Sequence, residues 1–175
     1  ITAKGTVTAA EKAGDVELLI DTMTHGTPSY SKEDIDRIFT ESGAAFGVDP
    51  RSDYIEVSLK CLKKFLPTLL PVIAEILEKP LLSPDEIEIS RSQMMSHLKS
   101  EADHPDHLLQ LAISKAFYKD HPYSIRPSGY LDTVPSITRD DLTGLLPRLF
   151  NRQNILFTVI GNLKTDEVEN LIQTY

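Results

Sequence analysis

The sequence predicts an α+β fold: an antiparallel or mixed β-sheet with helices packed on one face. Three observations predict it. Strand-like segments stand at the start, in the middle and near the end of the chain, so the sheet must join distant residues. Helical stretches lie between them, opened by a Ser or Thr with an acidic residue three places on at Ser31, Ser83 and Thr138. The 175 residues, 41% hydrophobic and 25% charged, suit one globular domain, 1–175, with a sizeable core.

Each element has its own reason. ITAKGTVTA (1–9) is rich in Thr, Val and Ile and reads as a strand. From Lys12 to about His25, Val16, Leu19, Ile20 and Met23 recur at helical spacing until Gly26 stops the run. Ser31 with Asp34 opens a second helix that Gly43 ends. AAFGV and DYIEVSLKC flank the turn DPRS and form a hairpin, with Ile55, Val57 and Leu59 on one face and Tyr54, Glu56, Ser58 and Lys60 on the other. An apolar helix runs from Leu62 to Glu78, with Pro67 and Pro71 demanding a later start or a bend. SPDE (83–86) places Ser83 as cap and Pro84 at the first helical position of a helix reaching Ala102. Pro105 opens another, to Tyr118. The stretch DHPYSIRPSGYLDTVPS is irregular, Thr138 and Asp141 cap a helix to Phe150, NILFTVIG reads as a buried strand, and Thr165 starts a terminal helix.

The net charge of −8 argues against nucleic acid or an anionic membrane as the main partner. No apolar run is long enough to span a bilayer. One cysteine, Cys61, excludes an internal disulfide framework and a cysteine-only zinc site. Its apolar neighbours predict a small buried hydrophobe. The first residue is isoleucine, which suggests a processed chain or a piece of a longer one.

Few constellations carry chemistry. In ELLIDTMTHGT (17–27), Glu17 and Asp21 stand four apart and share a helix face. That spacing suits a helix-borne metal pair, but equally an exposed acidic face near a helix N-terminus. His104 and His107 flank Pro105 and suit a solvated first turn as well as a metal site. His97, four residues before Glu101, reads as a half-exposed polar position, and Met94 and Met95 as core filler. No glycine loop for phosphate and no glycine-flanked serine elbow is present.

Several segments, in order and over nearly the whole chain, resemble the pitrilysin/insulinase family of zinc metallopeptidases, which includes the mitochondrial processing peptidases. They are HGTPSYSKEDIDRIFTESGAAFGVDPRSDYIEVSL (25–59), LLPVIAEILEKPLLSPDEIEISRSQM (69–94), KDHPYSIRPSGYLDTVPSITRDDL (119–142) and NRQNILFTVIGNL (151–163). The resemblance implies the family's α+β domain, set within a larger clam-shell of several such domains. The family's helix signature is His-x-x-Glu-His, completed by a distant glutamate. Aligned on Gly26-Thr27, the signature falls on Glu17-Leu18-Leu19-Ile20-Asp21. Ile20 then occupies the seat of the water-activating glutamate, His97 that of the distant ligand, and Ser90 that of a further carboxylate. Zinc lowers the pKa of its bound water, but a carboxylate must still take the proton and pass it to the leaving amine, which isoleucine does not do.

The resemblance therefore implies a non-catalytic domain with no cofactor of its own. It would pair with a zinc-bearing domain or subunit of the same family, close the chamber and help hold a peptide substrate. Two rivals stay open. One is a scaffold or binding module independent of proteolysis, for which a second copy of the chain is another partner. The other is a peptidase with an altered ligand set, in which Glu17, Asp21 and His97 hold zinc, manganese or iron.

Overall fold

The structure is a computed structural model and describes residues 1–4, 9–51, 53–101 and 103–174. Four strands form one antiparallel sheet: β1 (Thr2–Lys4), β2 (Ala45–Pro50), β3 (Tyr54–Lys60) and β4 (Ile155–Leu156). The order is β2-β3-β1-β4, so the first strand lies inside the sheet, between β3 and the edge strand β4. Thr2 faces Glu56 on β3 and Leu156 on β4. β2 and β3 pair from Ala45–Lys60 to Pro50–Ile55 across the hairpin.

Among the described residues, seven α-helices accompany the sheet: α1 (Asp15–Met23), α2 (Lys32–Glu41), α3 (Leu66–Glu78), α4 (Pro84–Glu101), α5 (Pro105–Tyr118), α6 (Arg139–Leu149) and α7 (Thr165–Thr174). The capping boxes at Ser31 and Thr138 form as read, each side chain accepting from the backbone N–H three residues on. Such a cap is worth about 1 kcal/mol. The core is built from α1 (Leu18, Leu19, Met23), α3 (Leu69, Ile76), α6 (Leu142, Leu149) and the inner face of β3 (Ile55, Val57). The alternation read in β3 is kept: Ile55 and Val57 are buried, while Tyr54 and Ser58 are exposed.

Three boundaries differ from the sequence reading. Lys12 belongs to a short 3₁₀ turn (Ala10–Lys12), and α1 starts only at Asp15 because Gly14 turns the chain at φ +100°. α3 starts at Leu66, which leaves Pro67 in its first turn, where the missing N–H costs nothing; Pro71 is accommodated inside. NILFTVIG is not a buried strand. Only Ile155 and Leu156 pair, and Leu156, Val159 and Ile160 are 65%, 49% and 95% exposed. β-propensity set the prediction, but among the described residues only Ile155 and Leu156 find strand partners, in Ala3 and Thr2. Residues 5–8 of the first predicted strand lie outside the described residues.

Candidate functional site

Two glycines seat α1. Gly129, at φ +72°, lies so close to Ala13 that a Cβ there would sit 2.4 Å from the Ala13 carbonyl oxygen. A Cβ on Gly14 would meet Val134 and Met94 at 3.0 and 3.2 Å. Thr133 Oγ1 donates to the Ala13 carbonyl at 2.8 Å. The irregular stretch before α6 thus fixes where α1 begins. Beyond that point Asp15, Val16, Leu18, Leu19, Ile20, Thr22 and Met23 are all buried.

Glu17 and Asp21 lie on the remaining face, Glu17 half-buried and Asp21 exposed. The plain acidic-surface reading is therefore incomplete for Glu17. Burial raises its pKa, the neighbouring Asp21 raises it further, and Arg126 and His97 oppose both. Burial also raises the pKa of Asp21, against His25. His25 Nδ1 in turn lies 2.8 Å from Glu86 Oε2 on α4.

α4 packs along α1 and carries Ser90 and His97. Ser90 is 1% exposed, and its hydroxyl has no hydrogen-bond partner among the described residues. His97 projects outward, its side chain 64% exposed, with Nε2 3.3 Å from Glu101 Oε1. Glu101 is the hub of this end. Its Oε1 also lies 3.1 Å from His107 Nδ1, and its Oε2 pairs with the Arg126 guanidinium. Burial lowers the Arg126 pKa, and Glu17 opposes that shift. A recess of about 250 Å³, walled by Leu98, Leu108, Leu111 and Leu131, opens beside Glu101 and Arg126.

The structure thus brings Asp21, His97 and Arg126 into one electrostatic neighbourhood, centred on Glu17. The described residues contain no group of three or more His, Cys, Asp or Glu side chains placed to hold one, and a guanidinium competes for the Glu17 carboxylate. Ile20 points into the core at 6% exposure, with no proton to exchange. His104 and His107 stand with ring centroids 5.9 Å apart, and His107 is engaged with Glu101. Burial raises the Cys61 thiol pKa, which disfavours a nucleophilic thiolate. Sequence reasoning passed over Arg126 and the hub role of Glu101. The His97–Glu101 spacing of four was visible, but nothing local ties Arg126 to α1 or α4.

The fold is that of a metallopeptidase-type α+β domain, and its helix α1 carries Glu17 and Asp21 on one face with Ile20 buried. The chain belongs to the insulinase family (peptidase family M16): the family model of that description matches residues 11–127. It is 19% identical over 163 residues to the Helicobacter pylori protein named Non-peptidase homolog YmxG, covering 93% of this chain and 38% of that protein. It is 21% identical over 159 residues to a Rickettsia felis protein named as an uncharacterized zinc protease, covering 91% of this chain and 39% of that one. Its fold matches a crystal structure described as a peptidase M16 inactive domain from Pseudomonas fluorescens, with a TM-score of 0.91 and 23% identity over 97% of this chain and 42% of that one. The chain spans about two fifths of the length of these relatives.

Proposed function

We propose that this is a non-catalytic domain of an M16-type peptidase, which pairs with a zinc-bearing domain or subunit of the same family, closes the substrate chamber and helps hold an extended peptide. Ile20 carries this reading: an aliphatic side chain, 6% exposed, occupies the seat that a proton-transferring carboxylate would need. The names of two relatives, a non-peptidase homologue and an inactive domain, support it. So does the surface of α5, which buries no residue and leaves Leu109 59% and Phe117 77% exposed. Apolar side chains so exposed suit a partner domain. β2 is an edge strand, and its unpaired side suits the addition of a peptide strand. The net charge of −8 favours basic peptide segments.

Two measurements test the proposal. Peptidase assays of this chain with added zinc, manganese or iron are expected to show no cleavage; metal-dependent cleavage abolished by Glu17→Ala would overturn it. Co-purification from the native source is expected to recover a partner or neighbouring domain with an intact His-x-x-Glu-His. Recovery without one would favour a scaffold independent of proteolysis.

A further inference from the structure

Residues 103–128 make a long excursion from the domain, and none of them is buried. The excursion consists of α5, a turn over residues 118–121 and a short 3₁₀ helix, Pro122–Ser124, on which α5 chiefly packs. Its two ends converge on one carboxylate. Glu101, at the end of α4 and with its side chain 14% exposed, sets Oε1 3.1 Å from His107 Nδ1 in the first turn of α5. Its Oε2 pairs with the guanidinium of Arg126, where the excursion returns. The tip is fastened separately: the Tyr123 hydroxyl donates to Asp53, in the β2–β3 turn, at 2.7 Å. Beneath the excursion lies the recess, where Leu108 and Leu111 of α5 meet Leu98 of α4.

Most helices are held by the apolar side chains they bury. α5 buries none, so polar fasteners carry much of that task. An element with so few buried contacts opens at low cost while the rest of a domain stays folded. The turn after α5 works against closure. The His121 N–H donates to the Tyr118 carbonyl at 2.8 Å, and Lys119 between them adopts φ +48° and ψ −111°. These are the angles of the first central residue of a type II′ turn, a position that suits glycine because it has no Cβ. A lysine persists there only while its surroundings hold it. Here they are Tyr118 and His121, whose rings stand edge-on to Tyr123 with centroids 5.4 and 4.7 Å away.

We propose that residues 105–125 form a flap over the leucine recess, which opens as a unit while the domain stays folded. Glu101 clasps its base, Tyr123 clasps its tip, and the strained turn at Lys119 favours release. The convergence of His107 and Arg126 on one carboxylate, at the two ends of a segment that buries nothing, carries this inference. Opening uncovers Leu98, which is 4% exposed when the flap is shut.

The test is thiol labelling by a water-soluble aromatic disulfide, in the Cys61→Ser chain with one cysteine added. Leu98→Cys places it under the flap, and Ile76→Cys places it in the core on α3, where Ile76 is fully buried. Leu98→Cys is expected to react about tenfold or more faster than Ile76→Cys. Glu101→Gln keeps the shape and removes the charge, and should speed Leu98→Cys about tenfold; Tyr123→Phe, at an exposed position, should speed it about threefold. Lys119→Gly relieves the closed turn and should slow it about fivefold. None of the three should move Ile76→Cys. The proposal is overturned if Leu98→Cys reacts as slowly as Ile76→Cys, if both clasp variants leave it unchanged or speed the two thiols equally, or if Lys119→Gly does not slow it.

Discussion

Restoring a carboxylate at position 20 tests whether that seat is now part of the core. The perturbation is Ile20→Glu, compared with Ile20→Gln, which has nearly the same shape and no charge. Ile20 is 6% exposed and packs in the main cluster, so either substitution forfeits about 2 kcal/mol of apolar burial. Glutamate adds a charge that the site penalises twice. Burial already raises the pKa of nearby Glu17, and Asp21 raises it further, so a fourth carboxylate on this helix meets both effects. The sign follows. An acid whose folded pKa is raised loses stability as pH climbs above its unfolded value near 4.3, by about 1.4 kcal/mol per pH unit until the folded pKa is passed. With a folded pKa of about 6, Ile20→Glu should be about 2 kcal/mol less stable than Ile20→Gln at pH 7 and equal to it at pH 4. The assay is urea unfolding at pH 4 to 8, scored by the midpoint at constant slope. Equal midpoints for the two variants at pH 7 would refute the burial argument. Metal-dependent peptide cleavage by the unsubstituted chain, with Ile20 in place, would refute the functional one.

Other predictions concern how α1 is held. Asp141 accepts from Lys12 Nζ at 2.7 Å and from Thr138 Oγ1 and N at 2.7 and 2.8 Å, which hold its pKa at about 2. Complete coupling would be worth roughly 2.4 kcal/mol, but Lys12 and Asp141 are 34% and 27% exposed, and solvent screening brings it to about 1 kcal/mol. Asp141→Asn should lose that amount at pH 7. The depressed pKa makes the wild-type advantage complete above about pH 4 and lost as pH falls toward 2, which urea midpoints at pH 2 to 7 would track. Gly129→Ala should cost at least about 2 kcal/mol, because its Cβ would meet the Ala13 carbonyl at 2.4 Å on a left-handed residue; thermal unfolding checks this, and a Tm unchanged from wild type would refute it. Protein purified without chelator should carry no stoichiometric metal. An ion bound one to one, and lost in the Glu17→Ala/His97→Ala variant, would show that the altered ligand set is used.

The sequence by itself determined what short-range chemistry can specify. Helix starts at Ser31 and Thr138 are written in a hydroxyl and a carboxylate three residues apart, and the structure forms both boxes. The face of β3 that turns inward is set by alternation alone. Ile20 takes a carboxylate's seat only under the resemblance of the ordered segments to a family, a placement that spacing alone does not fix.

Tertiary structure decided the rest. Arg126 is 25 residues from Glu101 in sequence and further still from Glu17, and only the packing of α1 on α4 makes it their common counter-charge. The strand predicted in NILFTVIG shrank to two residues for the same reason. Propensity is local, but a strand exists only where another chain segment offers its hydrogen bonds, and the sequence of one strand does not name its partner.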